Sequence, residues 1–277
     1  MMKRILFSVS ASVFAIFVLT GCKDKDENHY SLITSITAEV KQEYAYMVCA
    51  FVGYTEDFEN WLSEIIAECR YEVGGFKLDL PSSLNISLLY PIYNEDEVIP
   101  DWLRVSDKTV LASTSLLLVG SNGKDFVGRF YREKEYKEGD RYYQKYSYAE
   151  AIYLYVNKDL SEKGSFSQDS VYKSGGLSYK VQIKQIADVS YKKGWNILYS
   201  QGDALLNKRG NNVTGTITVK MSTQDPGDLK WYFKRENFPN LSQKSTTKDF
   251  PEIFSINKSE TVEKIKTKAL WNNDYEP

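Results

Sequence analysis

Three cysteines, one histidine and 37 acidic residues are the side chains from which this 277-residue chain could build chemistry. The lone histidine, His29, lies in a polar stretch near the N-terminus. A Ser-His-Asp or Cys-His centre needs an imidazole held beside its nucleophile, and a histidine-based zinc site needs more than one. Neither is expected here. Two carboxylates suffice to hydrolyse a glycoside, yet 37 acids with no distinguishing spacing define no pair. Asn94, Glu95, Asp96, Glu97 and Asp101 offer hard oxygens to calcium, but without EF-hand spacing, and they read as a solvated acidic loop. The expectation is a protein that is not an enzyme, with no catalytic residues, no metal and no cofactor.

Cys22 is the exception, because its surroundings specify a reaction. Lys3 and Arg4 precede an apolar stretch over residues 5–19, broken only by Ser8, Ser10 and Ser12. That is the length of a signal-peptide core and shorter than the ~20 residues of a spanning helix. The stretch ends in Leu19-Thr20-Gly21-Cys22, which resembles the lipobox of bacterial lipoproteins. The resemblance implies that residues 1–21 are removed and that the Cys22 sulfur carries diacylglycerol. Lys23-Asp24-Lys25-Asp26-Glu27 resembles the acidic export signal of Bacteroidetes surface lipoproteins. It implies an outer-membrane lipoprotein exposed at the cell surface, with a periplasm-facing location as the alternative. Residues 22–32 then form a lipidated tether.

Removing residues 1–21 leaves 33 basic against 37 acidic residues, which argues against a nucleic-acid partner. Aromatics make up 14% of the chain, with 21 tyrosines. Such side chains suit pleated, half-buried surfaces, and short apolar–polar alternations from Ile33 onward predict an all-β protein of antiparallel sheets. Strands are expected over residues 44–53, 63–71, 109–119, 126–132, 142–156, 177–186, 195–199, 213–221 and 229–233. Ser121-Asn122-Gly123-Lys124 supplies a hairpin turn. Asn257, with Glu260 at the third helical position and Val262, Ile265 and Ala269 on one face, predicts a short C-terminal helix.

Two antiparallel β-sandwich-like domains are expected, over residues 33–98 and 99–277. A hairpin centred near residue 59 would set Cys49 opposite Cys69 on an apolar face, where a cross-strand disulfide could form or two free thiols could be buried. Gly74-Gly75 permits a tight turn, after which Phe76, Leu78 and Leu80 share a face and Pro81 ends the strand. Over residues 44–81 the chain weakly resembles transthyretin-like or carboxypeptidase-regulatory-like sandwich modules, a likeness that carries no functional residue.

Two surface features complete the candidates. Alternation puts Tyr142, Tyr146 and Tyr148 on one face, either as an aromatic platform for sugar rings or as half-buried packing. Asp169-Ser170-Val171 is similar to the O-glycosylation signal of exported Bacteroidetes proteins, with Ser170 as acceptor. The leading reading is a membrane-anchored, non-catalytic binding or interaction module for a glycan or protein ligand. A fimbrillin-like structural or adhesin subunit is the alternative. Fimbrillins also begin as lipoproteins, but the family's arginine-specific cut has no substrate here, since no arginine lies between Cys22 and Arg70. A carboxylate-based glycoside hydrolase is the second alternative.

Overall fold

A computed structural model describes residues 32–52, 64–94, 98–174 and 176–236. Cys22, His29, residues 95–97 of the acidic loop and the helix expected from Asn257 lie outside the described residues. Those described form an all-β protein. In chain order the strands are β1 (Ser35–Glu39), β2 (Met47–Val52), β3 (Glu64–Arg70), β4 (Gly75–Asp79), β5 (Leu89–Pro91), β6 (Leu103–Val105), β7 (Leu111–Ser113) and β8 (Leu117–Ser121). Seven follow: β9 (Phe126–Gly139), β10 (Tyr143–Val156), β11 (Leu160–Ser174), β12 (Leu177–Tyr191), β13 (Gly194–Arg209), β14 (Asn212–Ser222) and β15 (Lys230–Arg235). The one helical element among them is a 3-10 turn at Ile86–Leu88.

β1 and β4 make a two-stranded sheet, and the other thirteen strands form a second sheet whose main path runs β3-β2-β8-β9-β10-β13-β14-β12-β11-β6. β15 adds to β9, and β7 bridges β10 and β5. The expected antiparallel pairing holds for every described strand pair except β12 with β14, which is parallel. β12 and β13 are linked by Lys192 and Lys193 alone, although β14 lies between them in the sheet. Buried Asn196 holds that link. Its side-chain amide donates to the carbonyls of Lys192 (2.7 Å) and Gly194 (2.8 Å), and its oxygen accepts from the Lys192 N–H (2.9 Å).

The main core brings the β1–β4 layer down onto β2, β8 and the outer face of β10 and β13. Ile36 and Ala38 of β1 and Phe76 and Leu78 of β4 meet Val48, Leu118, Phe130, Tyr153 and Ile197. The alternation read in Phe76, Leu78 and Leu80 is therefore real, since all three are buried there. This core runs from Ile33 to Leu229, across positions 98 and 99. The sheet crosses them too, through β5 on β7 and β2 on β8. Trp195 fastens the start of the described chain by pairing with Ile33 and donating its indole N–H to the Pro81 carbonyl at 2.8 Å.

The expected disulfide register is off by one. Val48 faces Cys69, and Cys49 faces Glu68, so the two cysteines point to opposite sides of the sheet. Cys49 packs with Phe51, Leu117 and Val119, whereas Cys69 lies against the main core. Both thiols are free. Burial pushes them up, Cys49 to about 12 with help from Glu68 and Cys69 to about 11, so each stays a protonated, poorly nucleophilic thiol at neutral pH.

Candidate functional site

The inner face of β10 overturns the aromatic platform. Tyr146 is 2% and Tyr148 8% exposed, packed with Tyr179, Val181, Ala204 and Ile217 on the covered face of β10, β12, β13 and β14. Tyr142 precedes β10 and is 55% exposed, with the Arg141 guanidinium 4.6 Å from its ring centre. Alternation placed Tyr146 and Tyr148 together correctly, but the long strands bury that face. Strand periodicity says which residues share a face and nothing about what covers it.

Burying phenols needs partners for their hydroxyls, and here glutamates supply them. The Tyr148 hydroxyl donates to Glu150 and lies 3.4 Å from a Glu133 carboxylate oxygen. Burial, then Glu150 and Glu133, hold Tyr148 well above the ordinary tyrosine range, so it is a neutral phenol at every physiological pH. Tyr146 is raised likewise by burial and by Glu135, Glu133 and Glu150.

Register lines these groups into a row. Glu133 of β9 is directly opposite Glu150 of β10, Glu150 is opposite Ser200 of β13, and Ser200 is opposite Met221 of β14. Directly paired residues share a face with Cβ atoms about 4.5–5.5 Å apart. Exposure falls inward from Glu135, two residues further along β9 and exposed, through half-buried Glu133 to Glu150 at 5% and Ser200 at 0% exposed. The Ser200 hydroxyl has no hydrogen-bond partner among the described residues. The acid row therefore leads from solvent to an enclosed hydroxyl between two apolar clusters. Sequence reasoning missed it, although one signal was present: Glu150 continues the inward parity Tyr146, Tyr148, Glu150, Ile152. The fold thus brings two carboxylates, Glu133 and Glu150, directly opposite each other, a pairing that no single stretch of sequence marks. Glu150 is too enclosed, with Tyr148 against it, to admit a sugar ring.

A second feature is open. Between the β1–β4 layer and strands β3 and β15 lies a groove of about 820 Å³, with Lys41, Arg70, Glu39 and Glu72 among its lining. Trp231 of β15 and Phe76 of β4 also line it, their rings edge to face at 5.5 Å. The Trp231 indole N–H is buried and has no acceptor among the described residues. The hydrogen bonds Val40 N–H to Gly74 and Leu80 N–H to Thr34 fix the β1–β4 ladder. They turn the backbone groups of Ile36, Ala38 and Val40 toward β4, and those of Thr37 and Glu39 outward. Among the described residues no strand pairs with that outward edge of β1.

The remaining candidates are dispersed. Ser170 sits inside β11 opposite Val181, half-buried, with Asp169 and Val171 exposed on either side. Asn94 and Asp101 flank the part of the acidic loop outside the described residues. Among the described residues no three His, Cys, Asp or Glu side chains gather as a metal set. Comparison with protein-family models, curated proteins and solved structures finds no match to this chain.

Proposed function

We propose that the protein is a lipid-anchored, non-catalytic interaction module of the outer-membrane surface whose groove beside β1 takes an extended segment of a protein partner. The finer architecture belongs to the same reading: sandwich-like units over residues 33–98 and 99–277 that share a core, the second ending in a short C-terminal helix. The carrying observation is the groove, whose lining brings Thr37 and Glu39 of the β1 edge, unpaired among the described residues, together with the Trp231 ring and charges of both signs. Strand addition uses these features: main-chain hydrogen bonds supply affinity and flanking side chains supply specificity. The glycan alternative loses its support with the burial of Tyr146 and Tyr148.

The anchor is tested at Cys22. Cys22→Ser should shift the protein from the membrane fraction to the soluble fraction and abolish incorporation of labelled fatty acid. Unchanged retention and labelling would remove the lipoprotein reading.

The groove is tested with a displayed peptide library selected on the detergent-solubilised protein. Thr37→Pro removes one outward N–H without breaking a β1–β4 bond, a change edge strands tolerate. It should weaken selected peptides roughly tenfold, the equivalent of about 1.4 kcal/mol, at an unchanged melting temperature. Peptide binding indifferent to Thr37→Pro, or no binding together with a heat-stable ladder of the protein in membrane fractions, would replace this reading with the fimbrillin-like subunit.

A further inference from the structure

We propose that Glu133, Glu150, Tyr148 and Ser200 form a site for a hard cation of the calcium class, entered from the Glu135 side of the row. Three observations carry it. First, both carboxylates reach the same oxygen, the Tyr148 hydroxyl, from directly opposed positions on β9 and β10. Lys230 of β15, exposed, stands opposite Glu133 on its solvent side. Glu133 and Glu150 still face each other as like charges, which destabilise a strand pair, and a cation between them reverses the sign. Second, Ser200 is fully buried on the same face, directly across from Glu150, and its hydroxyl has no partner among the described residues. A buried hydroxyl of this kind calls for a ligand or donor to complete it. Third, the acids become steadily less exposed from Glu135 through Glu133 to Glu150, which gives an ion a charged path inward.

The donor chemistry is all oxygen. Two carboxylates, a neutral phenol and a hydroxyl suit calcium, which takes six to eight oxygens with waters filling the remainder. Soft or imidazole-seeking metals find no thiolate or histidine in the row. The cluster thus lacks the third acid that would mark a metal centre from acidic side chains alone, and neutral oxygens take that place.

Terbium, a hard trivalent stand-in for calcium, tests the proposal on the full chain after treatment with chelator. Tyr148, with its hydroxyl at the site, should sensitise terbium emission, and calcium should displace it. Tyr148→Phe keeps the ring and loses the oxygen ligand. Glu150→Gln should lower terbium and calcium affinity at least tenfold. Ser200→Ala should lower it several-fold while leaving the ion-free melting temperature nearly unchanged. Calcium should raise the melting temperature of the unaltered protein and not that of Glu150→Gln. Sensitised emission that survives both Glu150→Gln and Ser200→Ala would place the ion elsewhere and overturn the assignment. So would the absence of any response to terbium or calcium combined with a melting temperature that rises on acidification, because protons would then be what the row binds.

Discussion

Tyr146→Ala is expected to destabilise the protein by about 3–5 kcal/mol, the range for removing a buried aromatic ring from a core. Tyr146 is 2% exposed and lies among Tyr148, Tyr179, Ala204 and Ile217 on a face where neighbouring strands fix every side chain. Those strands are held by ladders on both edges of β10, so the site has little room to collapse into the cavity. Urea unfolding should show the midpoint moving while the slope stays constant. Tyr142→Ala is the matched control, since it removes an exposed ring whose contact is the Arg141 guanidinium. Its cost should stay within about 1 kcal/mol. If the two alanine variants proved equally mild, the covered inner face of β10 would be refuted and Tyr146 would return as a surface residue.

Raising the pH should unfold the protein cooperatively above about pH 10, through its enclosed phenols. Burial pushes Tyr191 and Tyr148 well above their ordinary value of 10.0, with Glu162 adding to the first and Glu150 and Glu133 to the second. Their folded values are raised above the unfolded one, so their contribution is complete below the unfolded value and is lost as pH climbs toward the folded ones. In that window each still-protonated phenol costs about 1.4 kcal/mol per pH unit, so these two together cost about 3 kcal/mol per unit. A typical domain has only about 5–15 kcal/mol in reserve. Phenolate absorbance should rise in two parts, a gradual one from exposed rings such as Tyr142 and a cooperative one coincident with loss of circular dichroism. A smooth titration of all the tyrosines near 10 with the fold intact would refute the burial of these two.

Much of the strand pattern was legible because alternation and turn chemistry act locally. A hairpin does form at the expected place, but its connection is longer than the one read: Ser121 pairs with Phe126, Asn122 N–H donates to the Asp125 carbonyl, and Gly123 has φ 88°. β10 and β14 begin and end within a residue of expectation, and β12 and β13 simply run on further. The expected strand over residues 109–119 is instead two short ones, because β7 pairs with β10 and β5 while β8 pairs with β2. β11 was invisible. Its inward positions include Glu162, Gly164, Gln168 and Ser170, so hydropathy does not alternate, and its strand character comes from the ladder to β12. The cysteine register failed for the opposite reason. β2 is apolar on both faces, with Val48, Ala50 and Val52 toward the main core and Cys49 and Phe51 toward Leu117 and Val119. Alternation then carries no information about facing, and a bulge between Ala50 and Phe51 shifts the pairing again. The acid row needed three strands brought into register, which no single window of sequence contains.

The two-residue link between β12 and β13 has a kinetic consequence. Adjacent strands so closely joined would ordinarily zip into a hairpin within microseconds, yet in the finished sheet β14 separates them. That hairpin is an off-path competitor whose contacts would have to be undone. The productive local event is instead β13 with β14, which are antiparallel and joined through Gly210 and Asn211, with Gly210 at φ 59°. β12 must then dock in parallel on the far side of β14, a pairing closed over some thirty intervening residues. Loop closure of that kind sets in late and slowly. The parallel seam of β12 on β14, where Ala187 faces Met221, is therefore assembled only at the end of folding.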